Sequence, residues 1–202
     1  MVHMYNKFIS STATVDESVT IGNGCKIWHG SQIRENVQLG QNVIIGSNVY
    51  LGPGVRIGSN SKIQNNAQIY EPAMIHDGVF IGPGVIFTND RNPRAVNPDK
   101  SQKNPSDWEQ VGVIVGEGAS IGAGAVCVGQ VEIGMWSLVG AGSIVVSNIP
   151  NFALVVGIPA RQIGWVGKAG VRLIEKNSET FFCPKSETIY RLIGKILKEV
   201  VV

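Results

Sequence analysis

Apolar side chains recur at the third position of every six-residue unit from Ala13 to Asp90: Val15, Ile21, Ile27, Ile33, Leu39, Ile45, Leu51, Ile57, Ile63, Ile69, Ile75, Ile81 and Phe87. The first positions of the same units, among them Val37, Val43, Ala67 and Val85, stay small or β-branched, so two residues in six are left to face inward. An α-helix cannot keep one face at this period, because each unit would fall roughly 120° away from a whole number of turns. Short strands joined by sharp corners can. The sixth positions supply the corners: Gly24, Gly30, Asn36, Asn42, Asn48, Gly54, Asn60, Asn66, Gly78, Gly84 and Asp90 are residue types that tolerate positive φ, with Ser18 and Pro72 the exceptions.

A fixed hexapeptide period predicts a parallel β-helix, in which each coil buries its apolar row by stacking on the next. With three units to a coil, residues three units apart share a column at the strand spacing of about 4.8 Å. Ile27, Ile45, Ile63 and Ile81 would form one such column. The repeat halts at Asp90, and Arg91 to Gln110 is polar and holds Pro93, Pro98 and Pro105. A loop of this length is uncommon in a compact fold unless it has a function, so a protruding loop is expected here. The pattern resumes out of phase, with Val115, Ile121, Cys127, Ile133, Val139 and Val145 as third positions, giving about six coils in all.

Pro150, Gly157 and Pro159 end the repeat. The expected organisation is a β-helix over residues 13–170, with the loop at 91–110, followed by a small C-terminal cap or tail at 171–202. In that tail the runs Thr180 to Cys183, Ile189 to Ile193 and Val200 to Val202 suggest short strands, whereas Ile189, Leu192, Ile193, Ile196 and Leu197 fit helical spacing equally well. Either form would cover the open strand edge of the last coil.

Composition narrows the chemistry. The net charge is +2 over 202 residues with no basic run, which argues against nucleic acid as a partner. Cys25, Cys127 and Cys183 are too few and too widely spaced for a disulfide framework or zinc cluster, and no metal is expected. The start lacks the apolar core of a signal peptide and no stretch approaches membrane-spanning length, so a cytoplasmic protein without a membrane partner is the expectation.

Units with a small first residue, an aliphatic third residue and a following Gly resemble the left-handed β-helix of the hexapeptide-repeat acyltransferases. The handedness comes from that resemblance alone, since parallel crossovers are otherwise right-handed. Three segments sharpen it: "KIWHG" at Lys26 to Gly30, "KIQNNAQIYEP" and "VFIGPGVIFTNDRNPRA" between Lys62 and Ala95, and "FALVVGIPARQIGWVG" at Phe152 to Gly167. They are similar to the bacterial nucleotide-sugar N-acetyltransferases, which acetylate the 3-amino group of a UDP- or dTDP-linked amino sugar for cell-surface polysaccharides such as lipopolysaccharide. The resemblance implies acetyl-CoA as acyl donor, a homotrimer with sites between subunits, contact of Asn89 with the sugar amine, and a coenzyme A channel bordered by Gly157 to Arg161, including Pro159.

Glu71 lies one coil before Asn89 at the same position of the unit, which would place the two side chains on the order of 5 Å apart. A neutral amide beside a carboxylate can accept a hydrogen bond from an incoming amine and aim its lone pair at a thioester carbonyl. An amine with a pKa near the α-amino value of roughly 8 is already partly nucleophilic, so a strong base is optional. Gln64, Tyr70, Asp90 and the loop Arg94 are the further candidates for substrate contact. Gly122, Ala123, Gly140 and Ala141 are matching small positions one coil apart, where a pantetheine arm could approach backbone amides, and Arg161 is a candidate through its place in the "GIPAR" segment of the resemblance. Each also has a plain structural explanation as a turn or solvated residue.

Three other functions compete with this one. Transfer to a sugar or serine hydroxyl needs a base, for which His29 or His76 would have to come from a neighbouring subunit, His3 being too near the terminus. A metal enzyme of the γ-carbonic anhydrase type needs three converging His ligands, and the wide spacing argues against it. A non-catalytic β-helix would leave the loop without a purpose.

Overall fold

The computed structural model describes residues 7–200 and is a parallel β-solenoid. Two-residue strands run from Phe8–Ile9 to Ile144–Val145 and stack into three parallel sheets. Each strand pairs with the strand one coil on: Ile27 with Ile45, Ile45 with Ile63, and Ile63 with Ile81. Ile81 then pairs with Ile121, Phe87 with Cys127 and Ile75 with Val115, so the out-of-phase second block continues the same three columns once the loop is set aside. The first strand, Phe8–Ile9, lies before Ala13 and pairs with Lys26–Ile27.

The third-position residues fill the interior. Ile27, Ile45, Ile63, Ile81 and Ile121 are fully buried, each contributing roughly 1.5–3 kcal/mol by its removal from water. Polar first positions are tolerated because they find backbone partners: Ser31 Oγ donates to Gly46 O at 2.7 Å and Ser61 Oγ to His76 O at 3.0 Å. The corners use the left-handed region as expected, for example at Asn48 (φ 56) and Gly84 (φ 66). The all-β, parallel β-helix expectation is met.

The solenoid closes with Ala153–Val156, which pairs with Leu138–Val139, and with the antiparallel strand Arg161–Trp165 on its outer edge. The tail then forms a four-stranded antiparallel sheet from Ile174–Asn177, Thr180–Phe182, Ile189–Ile193 and Ile196–Glu199. Of the two forms left open for Ile189 to Val202, strand is the one observed over the described residues; Val201 and Val202, like His3, lie outside them. Alternation decides it, because Tyr190 and Leu197 point inward with Phe181, Cys183 and Leu173 against Phe152, Trp136 and Trp165, while Ile189, Arg191 and Lys198 stay outside.

Candidate active site at the loop root

The corner that leads from the second sheet to the third carries Tyr70–Glu71, Thr88–Asn89–Asp90 and the loop. Gln68–Ile69 pairs in register with Ile86–Phe87, so Glu71 and Asn89 sit one above the other at the strand spacing of about 4.8 Å. Glu71 lies over Gly52, where any Cβ would collide with Glu71 Oε2. That oxygen is buried without a hydrogen-bond partner among the described residues, while Oε1 accepts from Gln110 Nε2 at 2.9 Å. Asn89 O accepts from Val111 N at 3.0 Å, fixing the loop's return directly at the site. Below Glu71, Tyr50 and Tyr70 pair with ring centroids 5.1 Å apart. Burial pushes the Tyr50 phenol up, the Glu71 charge adds to the effect, and Arg34 opposes it.

The loop is ordered by its own hydrogen bonds. Asp107 Oδ2 accepts from Asn104 N at 2.8 Å and from Asn97 Nδ2 at 3.1 Å, and Lys103 N donates to Ala95 O at 3.1 Å. Between the loop and the coil lies a polar hollow of about 590 Å³ lined by Asp90, Arg91, Lys103, Trp108 and Gln130 among others. Arg91 Nη1 reaches Gln130 Oε1 at 2.9 Å across its mouth. Arg94 is exposed and turns its guanidinium to Pro93 O, outside this hollow.

A second group gathers at the corner between the first and second sheets. Gly122, Ala123, Gly140 and Ala141 stack there, and the Gly157 to Arg161 segment lies on the last of them through Gly157 N to Ser143 Oγ at 3.2 Å and Ala160 N to Ile144 O at 2.8 Å. Pro159 and Arg161 are exposed on this segment, with Arg161 Nη1 donating to Ala160 O. Gln64 belongs to the same corner, one column with Gly82, Gly122 and Gly140, and not with Asn89. Gly122 and Gly140 have a sufficient structural cause. A Cβ on Gly122 would strike the backbone of Ala141, and one on Gly140 would meet Val156 Cγ1 at 2.7 Å.

His29 and His76 are exposed, His29 after Ile27 at the corner between the first and second sheets and His76 after Ile75 at the corner between the third and first. His29 stands beside Trp28 with ring centroids 6.1 Å apart, and His76 lines a cleft of about 380 Å³ beneath the cap hairpin with Glu132 and Lys195. Among the described residues no group of three or more His, Cys, Asp or Glu could hold a metal ion, and no helix is long and apolar enough to cross a membrane. Burial pushes the Cys127 thiol up to about 12, which leaves it inert as a nucleophile.

Gln110, Gln130, Trp108 and Lys103 escaped the sequence reasoning. Gln130 carries a signal in retrospect: it holds φ 72 at a corner position that in most units takes Gly or Asn. Gln110 carries none, because the loop has no period to place it.

Residues 18–53 and 54–89 match the family described as bacterial transferase hexapeptide (six repeats), and residues 36–71 match the hexapeptide repeat of succinyl-transferase. A serine acetyltransferase of Buchnera aphidicola (subsp. Schizaphis graminum) is 42% identical over 66 residues, which are 33% of this chain and 25% of that protein. The dTDP-3-amino-3,6-dideoxy-alpha-D-galactopyranose 3-N-acetyltransferase of Aneurinibacillus thermoaerophilus is 53% identical over 53 residues, 26% of this chain and 28% of that one. The chain thus spans only about a quarter of the length of these curated relatives. The acetyltransferase domain of PglB from Neisseria gonorrhoeae shares the fold with a TM-score of 0.51 at 21% identity, over 79% of this chain and 58% of that one. Residues 18–89 thus match the bacterial transferase hexapeptide repeat, and the chain folds as a left-handed parallel β-helix.

Proposed function

We propose that the chain is an acetyl-CoA-dependent N-acetyltransferase that acylates the amino group of a nucleotide-linked amino sugar, in the cytoplasm, for cell-surface polysaccharide synthesis. The observation that carries this is the division of the candidate residues between two neighbouring corners. Small residues suited to a pantetheine arm occupy the first corner, and the Glu71, Asn89 and loop cluster occupies the second. The high local identity to a dTDP-amino-sugar N-acetyltransferase supports the choice of acceptor.

One chain holds the two corners a full side of the coil apart, about six residues of nearly extended backbone. Ligands bound at both would not meet within one subunit. A second copy that lays its first corner against this second corner brings them together, and such a head-to-tail contact closes into a ring, here a homotrimer. The outward row between the corners, Ile86, Val126 and Ile144 with exposed Val146, gives this contact an apolar surface.

In the reaction the amine nitrogen, oriented by hydrogen bonds to the Asn89 amide oxygen and the Glu71 carboxylate, attacks the thioester carbonyl. The C–N bond forms, the C–S bond breaks, and the proton leaving nitrogen ends on the coenzyme A thiolate. Hydroxyl transfer is the second reading, favoured by the serine acetyltransferase match. It requires a histidine base from a neighbouring subunit, since His29 stands at the first corner, on an N-terminal coil, and His76 at the third corner, neither beside Asn89. Thiol release from acetyl-CoA, measured with UDP- and dTDP-amino sugars, the corresponding hydroxy sugars and serine, separates the readings. Turnover on the amines with His29→Ala and His76→Ala retaining most of it supports the proposal; turnover confined to hydroxyl acceptors overturns it.

A further inference from the structure

Gln110 stands where the loop re-enters the coil and grips both residues of the second corner from one point. Its side-chain amide donates to Glu71 Oε1 at 2.9 Å, and the next backbone N–H, of Val111, donates to Asn89 O at 3.0 Å. Glu71 Oε2 is turned inward over Gly52 and has no hydrogen-bond partner among the described residues. Only Oε1 is therefore placed to meet a ligand, and a carboxylate oxygen has two lone-pair sites, of which Gln110 occupies one. A buried carboxylate oxygen without a partner gains by rotating toward any donor or water. What stops that rotation is the Gln110 amide.

We infer that Gln110 is a positioning residue, which locks the Glu71 carboxylate in register with the Asn89 amide and ties that register to the return of the loop. The inference rests on the acetyl transfer proposed above. It makes the loop's C-terminal end part of the reaction geometry, through a residue that touches no reacting atom.

The test begins with the parent protein, acetyl-CoA and the amino-sugar panel. If the parent transfers acetyl to none of them, the proposed function fails and this inference falls with it. With an active parent, Gln110→Ala should lower kcat about tenfold or more, because small displacements of a positioning contact cost this much. Its KM for acetyl-CoA should stay within about twofold, since the first corner is untouched. Gln110 is exposed, so the thermal midpoint should hardly move. Gln110→Glu keeps the shape but sets a second carboxylate against the first, and should fall below Gln110→Ala in kcat. A space-filling role would rank it near the parent. Parent-like kcat in Gln110→Ala, or Gln110→Glu equal to or better than Gln110→Ala with both variants folded, overturns the inference while leaving the proposed function intact.

Discussion

The N-terminal and C-terminal coils share one backbone and close the same corner differently. In the N-terminal coils Asn48 Nδ2 donates to Asn66 Oδ1 at 3.4 Å, and Asn65 Oδ1 accepts from Ser47 N at 2.8 Å, so side-chain amides bridge successive coils. From Gly84 onward the same column reads Gly84, Gly124 and Gly142, and a Cβ at any of them would have nothing within 4 Å. Backbone conformation does not explain the change. Asn48 and Asn66 hold φ 56 and 61, close to the 67 and 69 of Gly124 and Gly142. Glycine there leaves a bare wall along the corner to which the Gly157 to Arg161 segment belongs. By contrast Gly122 and Gly140, two residues earlier in their units, are imposed by the coil above. Two glycines in one hexad thus carry different information, one about stacking and one about an open surface.

The largest effect separates the two corners. Asn89→Ala removes the amide at the second corner and touches neither the stacking nor the bare wall. It should lower kcat by about a hundredfold or more, in the range seen when one fixed polar contact to a transition state is lost. The urea midpoint should stay near the parent value, because Asn89 keeps its structural role through its backbone O. Rate assays beside denaturation curves check this, and equal turnover at saturating substrate would remove Asn89 from the reaction.

Next in size is a stability effect confined to the stacking glycines. Gly122→Ala forces a methyl into the backbone of Ala141 and should cost about 3 kcal/mol, at the upper end for overpacking, whether or not ligand is present. A denaturant titration showing a loss under about 0.5 kcal/mol, the size of an ordinary surface substitution, would mean that the corner has more give than its geometry implies. The contrast is sharpened by Gly124→Asn combined with Gly142→Asn, which copies the N-terminal corner onto the C-terminal one. Left-handed Asn is cheap, so the fold should survive. The KM for acetyl-CoA should rise about tenfold if the wall lies against the donor, corresponding to about 1.4 kcal/mol of lost binding. An unchanged KM would place the donor elsewhere.

Much of this architecture was legible in the hexads, because a period of six has one economical solution and the third positions Ile27 to Ile81 name its columns. The phase break at Asp90 located the loop, and equal unit positions placed Glu71 below Asn89. Legibility stopped where the period did. Nothing in the spacing of Arg91 to Gln110 indicated that Gln110 returns to Glu71 or that Arg94 turns away to Pro93, since those contacts depend on the loop's internal hydrogen bonds. Gln64 is an outward residue and so a candidate for substrate contact, yet its position in the unit puts it at the first corner. The cap balanced strand against helix because Ile189 to Leu197 satisfies both patterns, and only its packing on Phe152 and Trp136 decides between them. Trp136 itself departs from the corner rule, with φ 57, where the cap docks, just as Gln130 does at the loop root. These two left-handed corners without Gly or Asn both lie at attachments.

The smallest effect tests whether the loop between the two blocks is thermodynamically separate from them. Hydrogen bonds from Asn104 N and then Asn97 hold the exposed Asp107 carboxyl below the usual carboxylate range. A carboxyl with a depressed folded-state pKa supports its structure fully above the unfolded value of about 3.9, and that support fades as pH falls through the lower folded value. Among the described residues the buried polar side chains of the solenoid are serines, and the coil carboxyls held low in the same way, Asp16 and Glu35, lie at N-terminal corners outside the core. Acidification from pH 6 to about pH 2.5 should therefore release the Asn104 amide to hydrogen exchange while amides such as Ile44 and Lys62, bonded into the coil, stay protected. In Asp107→Asn the Asn104 amide should exchange at a protection level independent of pH over that interval, because the side chain no longer titrates. Loss of loop and coil protection together would mean that the blocks lean on the loop, and the independence of the two coils from what joins them would have to be given up.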